Sequence, residues 1–262
     1  MTIDTSHPRA LRADIRSGKL TRTTAGLAQD YVQANLAVLP KSEAYDFLLF
    51  CQRNPRACPL LEVTDVGSVE PVGIAPGADL RTDIVKYRIY ERGELVDEVT
   101  DATPYWRDDL VAFLLGCSFT FEQAMLQAGV RLWHIENEKA VAMWRTSLQC
   151  RPAGAFHGPV VVSMRPIRPG DLSKAVTASA RFHAAHGAPI HIGDPAALGI
   201  SDIMRPDYGD AQHFDAGDIP VFWACGVTPQ AVALSSKPPF MITHSPGHMF
   251  VTDLPNSALA AL

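Results

Sequence analysis

The sequence lacks any long apolar run. Nowhere in its 262 residues do 18 uncharged apolar residues follow one another, which argues against a membrane-spanning helix. Residues 1–16, MTIDTSHPRALRADIR, contain no apolar core of the kind that a secretory signal needs. We therefore expect a cytoplasmic protein that has no membrane partner.

Several motifs are also missing. The five cysteines form no C-x-x-C pair and no zinc-ligand spacing, so reduced thiols are expected. No G-x-G-x-x-G follows a strand, and no G-K-[ST] loop, G-x-S-x-G turn or H-E-x-x-H helix occurs. These absences argue against nucleotide-driven chemistry, and no cofactor follows from the sequence.

An excess of positive charge is absent as well. Lys and Arg together number 23 against 28 Asp and Glu, a formal net charge of −5. Proteins that bind nucleic acid or acidic membranes usually carry a basic face. We therefore expect no nucleic-acid partner and start from small-molecule chemistry. A homo-oligomer is compatible with the sequence but is not indicated by it.

What the sequence does contain is an alternation of strand and helix patterns, which is typical of an α/β fold. We predict a mixed sheet with flanking helices in a larger domain, residues 1–129 and 198–262, and a smaller α+β subdomain inserted at residues 130–197. Helices are predicted from Ser6 and Pro8 onward, over 25–36, 42–50, 106–114, 121–129 and 172–184, and from Thr228. Strands are predicted over 60–63, 84–90, 95–99, 132–135, 140–146, 159–164, 190–192, 221–224 and 241–243. Arg92 and Gly93 separate 84–90 from 95–99, so these two strands are expected to form a hairpin.

The segment PVFWACGVTPQAV has the most informative local pattern. An apolar strand runs into a small turn and then into a helix that begins at Thr228 and Pro229. The free N–H groups at such a helix start can bind an anion, and the helix dipole favours a thiolate there. Cys225 is therefore a candidate base or nucleophile, with Gly226 and Thr228 as candidate substrate contacts; the alternative is a structural turn with a buried thiol.

A second corner of this kind is GCSFTFE. Thr120 and Gln123 have the spacing of a capping box, which places Cys117 and Ser118 at the entrance of a helix and Glu122 in its first turn. Cys117 and Glu122 are candidate catalytic residues, and Ser118 is a candidate contact for a carboxylate. The alternative is that this corner only caps the helix and complements its dipole.

The segment THSPGHMFVTD contains two candidate catalytic histidines, His244 and His248. Pro246 and Gly247 lie between them, so the two imidazoles do not share a helical face. A turn can still bring them together, and with Asp253 they would form either a divalent metal site or a base with an orienting carboxylate. A structural turn is the remaining alternative.

Further candidate substrate contacts lie at the ends of apolar runs. His191 and Asp194 end one such run, in the position where an α/β protein often meets its ligand. Arg145 and Arg165 end two others, where a guanidinium at the rim can hold a carboxylate through two hydrogen bonds. Surface ion pairing is the alternative for both arginines.

Eight segments of the chain together carry a family resemblance. They run in order from about residue 24 to residue 253: TAGLAQDYVQANLAVLP, FLLFCQRNPRACPLLEV, WRDDLVAFLLGCSFTFE, GPVVVSMRP, GAPIHIGDP, PDYGD, FWACGVTPQ and ITHSPGHMFVTD. The set resembles the D-glutamate cyclase family of hydro-lyases. The resemblance implies an α/β fold with two subdomains and a reaction in which D-glutamate, a small carboxylic acid, closes to 5-oxo-D-proline with loss of water and without ATP.

Such a reaction needs a carboxylate clamp, a base for the ammonium, donors for an oxyanion and an acid for the departing hydroxyl. From residue chemistry alone, we expect Arg145 or Arg165 to bind carboxylate and Cys225 or His244 to transfer protons. The backbone turns at Ser118 and Gly226 would polarise the reacting carboxyl. Two alternatives stay open: a hydro-lyase acting on another small hydroxy or amino acid, and a carboxylate-binding protein without catalysis.

Overall fold

A computed structural model describes residues 7–261 of the chain. Within them the chain forms α-helices at Pro8–Arg16 (α1), Lys41–Arg53 (α2), Phe119–Gln127 (α3), Trp133–Glu136 (α4), Leu172–Ala180 (α5) and Thr228–Ser236 (α6). The strands are Tyr31–Pro40 (β1), Leu60–Val63 (β2), Tyr87–Glu91 (β3), Glu94–Val99 (β4), Leu110–Gly116 (β5), Ala142–Gln149 (β6), Pro159–Ile167 (β7), His191–Ile192 (β8), Ile219–Ala224 (β9), Phe240–His244 (β10) and Phe250–Pro255 (β11). None of the described helices is long and apolar enough to cross a membrane.

The first sheet has seven strands, and β1 lies at its centre. The strand order is β2-β5-β1-β10-β3-β4, and β11 pairs with the part of β1 that β10 does not reach. Alternate residues of β1 point to opposite faces. One face packs against the loop over residues 74–84, and the other packs against the aromatic side chains of α2.

The second sheet has four strands in the order β6-β7-β9-β8. One of its faces packs against α3 and α5 through Trp223, Phe121 and Ala175. The α/β class expected from the sequence is confirmed, and every strand pair in both sheets is antiparallel. The division into domains stays a prediction; β9, which the expected boundary assigned to the larger domain, pairs with β7 and β8 in the second sheet.

Many predicted elements are confirmed, among them the helix that contains residues 42–50 and the strand at 60–63. The hairpin is confirmed as well, with Arg92 and Gly93 in its turn at positive φ. Ser6, the expected start of the first helix, lies outside the described residues, while α1 begins at Pro8. The predicted capping box does not form, because Thr120 and Gln123 both lie inside α3.

Three predicted elements are wrong. Residues 25–36 and 106–114 were expected to be helical, but they contain turns followed by β1 and β5. Both strands are central and buried on both faces, so their apolar runs lack the alternation that marks a strand with one exposed face. Residues 132–135, expected as a strand, form the N-cap and first residues of the short helix α4, and β11 was not predicted at all.

Candidate active site

The turn between β5 and α3 presents a hydroxyl to the protein interior. Gly116 ends β5, and a Cβ there would overlap the carbonyl oxygen of Ala184, so only glycine allows this close approach. Ser118 occupies the N-cap position of α3 but makes no capping hydrogen bond with its side chain. Its Oγ accepts a hydrogen bond from Arg165 at 2.9 Å instead.

Arg165 on β7 is the centre of a buried ionic cluster. Its Nε donates to Oε1 of Glu122 at 3.0 Å, and its Nη2 donates to the same oxygen. Its Nη1 donates to Oγ of Ser163, which points to the same face of β7. The Arg165 side chain is 1% exposed, so its expected place at an open strand rim is wrong. The guanidinium holds Glu122, and its hydrogen bonds go to protein groups.

Two aromatic rings close the cluster from the sides. The guanidinium carbon of Arg165 lies 5.5 Å from the ring centre of Phe121 and 5.3 Å from that of Trp223. Cation–π attraction of this kind gains strength where water is excluded. The two rings therefore stabilise the buried positive charge and fix the plane in which it meets Glu122.

Glu122 also contacts a histidine that sequence reasoning missed. Nε2 of His134, on α4, lies 3.0 Å from Oε1 of Glu122, and the two side chains are 1% and 4% exposed. An ionised carboxylate can only accept, so in the neutral ring Nε2 carries the hydrogen and Nδ1 keeps a free lone pair. Nδ1 is buried and has no partner among the described residues.

The charge on Glu122 is maintained by its neighbours. Burial alone would raise the pKa of this carboxyl group, but electrostatic attraction and hydrogen bonds from the neighbouring His134 ring and Arg165 guanidinium outweigh that effect and lower the pKa to about 2. Glu122 is therefore ionised throughout the neutral pH range. A permanent carboxylate can orient an imidazole and stabilise it when it becomes an imidazolium.

A groove of about 140 Å³ lies beside His134, between the chain segments 22–29 and 134–139. A smaller cavity of about 10 Å³ adjoins it, since Gly26, Gln29 and Ile135 line both. The smaller cavity reaches Glu122 and has room for one water-sized group. His134 thus lines the groove, and its partner Glu122 lines the smaller cavity next to it.

A second unsatisfied acceptor lines the smaller cavity. The side-chain amide of Gln33 donates through Nε2 to the carbonyl oxygens of Thr24 and Leu27, at 3.0 and 2.9 Å. Its Oε1 is buried and has no partner among the described residues. Buried polar atoms are nearly always hydrogen-bonded, so an acceptor left open in a cavity wall points to a ligand with donor groups. Gln33 Oε1 and, in the neutral ring, His134 Nδ1 are both hydrogen-bond acceptors that lack a donor.

The two predicted corners lie next to each other beside Asn35, in the middle of β1. Asn35 donates through Nδ2 to the carbonyl oxygen of Gly116 at 2.7 Å, and a Cβ on Gly226 would overlap the same Asn35 side chain. Cys117 and Cys225 belong to one apolar cluster behind these turns. The fold therefore brings the GCSFTFE and WACGVTP corners together, as a packed contact.

The thiols of both corners are protonated at neutral pH. Burial raises the pKa of Cys225 to about 11 and raises that of Cys117 further. The thiolate that a helix start was expected to favour at Cys225 does not form, because loss of water outweighs the effect of the helix end. The hydroxyl of Thr228 is used within the fold, donating to the carbonyl oxygen of Cys225 at 2.7 Å and accepting from the N–H of Val161.

His244 occupies a gap in the first sheet. On one edge of β1 the pairing changes from β10, at Ala37, to β11, at Ala34, and the N–H of Leu36 falls between the two partners. This N–H donates to Nδ1 of His244 at 3.1 Å. Burial lowers the pKa of His244 to about 4, so the ring is neutral and its Nε2 hydrogen has no partner among the described residues.

Within residues 7–261 no hydrogen bond joins His244 or His248 to Asp253, so the expected base with an orienting carboxylate does not form from these three residues. Nδ1 of His248 hydrogen-bonds the carbonyl oxygen of Pro246 within the turn, while Asp253 pairs with Arg12 at 2.9 Å. Over residues 7–261 no group of three His, Cys, Asp or Glu side chains is arranged to hold a metal ion.

The remaining predicted contacts lie in the second sheet or its loops. Arg145 is 52% exposed and pairs with Asp207 at 2.8 Å, the surface ion pair that was its alternative interpretation. His191 hydrogen-bonds the backbone oxygen of Asp194, and the Asp194 carboxylate caps the turn by accepting from the N–H of Ala196. None of these three side chains lines the groove beside His134.

Of the predicted site residues, the fold joins Ser118, Arg165 and Glu122 in one cluster. The sequence offered no signal for His134 or Ser163. His134 was placed in an expected strand, and it meets Glu122 only because α4 folds back against α3.

Comparison with known proteins shows the family to which the chain belongs. The model of the D-glutamate cyclase family matches residues 111–253, which include Glu122, His134 and Arg165. A protein named "Putative hydro-lyase" from Rubrobacter xylanophilus is 62% identical over 242 residues, 92% of this chain and 93% of that protein. Proteins with the same description from Thermoanaerobacter sp. and Bacillus subtilis are 61% and 55% identical, each over 97% of this chain and over 96% and 99% of their own lengths.

Among solved structures, a nitrogen repressor-like protein from Methanococcus jannaschii is 10% identical, with a TM-score of 0.39 over 95% of this chain and 98% of that one. The fold described above therefore rests on the strands and helices of this chain alone. The family match covers more than half of the chain and the relatives align over nearly all of it, so the chain belongs to the D-glutamate cyclase family of hydro-lyases.

Proposed function

We propose that this hydro-lyase family member is an enzyme that closes D-glutamate to 5-oxo-D-proline with loss of one water. In this reaction the α-ammonium loses a proton and its nitrogen attacks the C5 carboxyl carbon. The nitrogen then loses a second proton, and one oxygen of the former carboxylate, which has taken up two protons in all, leaves as water. One C–N bond forms and one C–O bond breaks, and no oxidant or nucleotide is consumed.

The observation that carries the proposal is the buried, unpartnered Nδ1 of His134, a residue that lines the groove. The ring hydrogen is held on Nε2 by Oε1 of Glu122, at 3.0 Å, so the tautomer that can accept a proton at Nδ1 is fixed. In our proposal Nδ1 takes a proton from the α-ammonium, and Glu122 stabilises the imidazolium that results.

The substrate ammonium can donate hydrogen bonds to two buried acceptors that lack a partner. Gln33 Oε1 and His134 Nδ1 are both buried acceptors without partners in the described chain, and an ammonium carries three N–H donors. Arg165 acts through Glu122 in this proposal, as a positioning residue. The protonated thiol of Cys225 can give a proton but has none of the thiolate character that a base needs.

The direct test is to incubate the purified protein with D-glutamate and, separately, with L-glutamate, and to follow 5-oxoproline by proton NMR. We expect the product from the D-enantiomer. Absence of product from both enantiomers would refute the cyclase. Conversion of another hydroxy or amino acid would indicate a different hydro-lyase, and binding without turnover would indicate a carboxylate-binding protein.

A further inference from the structure

The groove beside His134 carries two cationic side chains that the mechanism above does not use. Arg22 and Lys139 both line it, one on each wall, and both residues are exposed. Within residues 7–261 no acidic side chain forms an ion pair with either of them. The remaining charged side chain of the groove, that of Glu138, likewise has no ion-pair partner there.

Local backbone geometry supports the position of Lys139. Glu138 adopts a positive φ of 51°, which is uncommon for a residue other than glycine and turns the chain sharply after α4. The N–H of Lys139 then donates to the carbonyl oxygen of His134 at 2.8 Å. This turn ties the Lys139 backbone directly to the residue that supplies the free Nδ1.

From this geometry we propose that Arg22 and Lys139 bind the two carboxylates of an α-amino dicarboxylate, and so determine the substrate class of the groove. The inference deepens the proposed function and rests on it. The groove residues offer two cations, one carboxylate and one imidazole nitrogen without a partner, which together complement a ligand with two carboxylates and one ammonium. The groove volume of about 140 Å³ is well below that of pockets for drug-sized ligands and suits a small metabolite.

The same contacts assist the chemistry. A carboxylate resists attack by an amine because it is already negatively charged, and the charge grows as the tetrahedral intermediate forms. A cation at the C5 carboxylate neutralises that charge where it develops. The cation at the other carboxylate orients the amine towards C5 without taking part in bond formation.

The test measures the binding of glutarate, a dicarboxylate without an amine, by calorimetry. Arg22→Gln and Lys139→Gln should each weaken glutarate binding about tenfold, the typical loss for one charge-assisted hydrogen bond. Arg151→Gln and Lys41→Gln are matched controls, since both residues are exposed and lie outside the groove, and they should bind like the wild type. Butyrate, with one carboxylate, should bind more weakly than glutarate to the wild type, and the difference should shrink in the two groove variants.

Glutarate binding that is unchanged in both groove variants would overturn the inference, whatever the reaction proves to be. Because glutarate cannot cyclise, the measurement does not depend on turnover. If the wild type binds glutarate through Arg22 and Lys139 but forms no 5-oxoproline, the dicarboxylate site is supported and the proposed cyclisation is refuted. If the wild type cyclises D-glutamate and both variants have the same KM for D-glutamate as the wild type, the proposed cyclisation is supported and the dicarboxylate site is refuted.

Discussion

His134 donates its Nε2 hydrogen to Oε1 of Glu122 over 3.0 Å, and the two side chains are almost completely buried. The contact joins two helices that the sequence separates by a turn and a loop, and it leaves the other ring nitrogen open. Carboxylate and imidazole pairs of this kind orient a base in many enzymes. The relationship can be tested through stability and activity separately.

The first prediction concerns the buried charge. Glu122→Gln should lower the free energy of unfolding by about 3–5 kcal/mol, because it leaves the Arg165 guanidinium without a counter-charge in the interior. Urea denaturation measures the change. Glu136→Gln removes a carboxylate from an exposed pair with Arg131 and should have little effect. Equal effects of the two substitutions would contradict the role given to the buried cluster.

The second prediction concerns the base. His134→Asn should reduce the rate of D-glutamate cyclisation by about 10²–10⁴-fold, the usual range for loss of a general base. Cys225→Ala should retain most activity, because the thiol is protonated at neutral pH. His157→Gln, at an exposed histidine, is the control for general effects of the substitution. Loss of activity in Cys225→Ala alone would move the base to the second corner.

The third prediction concerns acid stability. The folded pKa of His244 is about 4, below the value of about 6.5 for an unfolded histidine. The folded state therefore favours the neutral ring. The contribution of this ring to the free energy of unfolding is fully present above about pH 6.5 and is lost as the pH falls towards 4. His244→Asn keeps an acceptor near the N–H of Leu36 and removes the titration.

The expected result is a shallower decline of unfolding free energy between pH 6.5 and 4 in His244→Asn than in the wild type. His186, whose pKa burial also lowers to about 4, contributes in the same window, so the decline should be reduced but not abolished. Identical pH profiles for variant and wild type would contradict the assignment.

The fourth prediction concerns the contact between the two corners. Gly226→Ala places a methyl group on Asn35, whose amide is held by the carbonyl oxygens of Leu115 and Gly116. We expect a loss of about 1–3 kcal/mol, typical of overpacking a buried site. In an Asn35→Ala background the same substitution should cost less, because the obstructing side chain is gone. Equal costs in both backgrounds would show that the contact is not the cause.

Sequence patterns predicted the fold well wherever an element has one exposed face or a clear boundary. The hairpin at Arg92 and Gly93 and the helix after Pro40 are confirmed for this reason. The central strands β1 and β5 were misread, because both of their faces are buried and their apolar residues do not alternate. Periodicity alone does not separate such a strand from a buried helix.

The candidate site was predicted in part. The corner that holds Ser118 and Glu122 was selected from the spacing of Thr120 and Gln123; the capping box does not form, but a helix does begin there, with Ser118 at its start and Glu122 in its first turn. The partner of Glu122 could not be found in the same way. His134 lies on a four-residue helix without a distinctive motif, and only tertiary packing decides which acidic group it meets.

The ionic cluster also connects the two sheets. Glu122 lies on the helix that follows β5 of the first sheet, whereas Arg165 belongs to β7 of the second, and His134 meets both through one oxygen atom. Movement of one sheet relative to the other would therefore pull the Arg165 guanidinium away from the Glu122 carboxylate. The cluster therefore links the two sheets. Partial loosening of the contact between them should abolish turnover while most of the secondary structure persists.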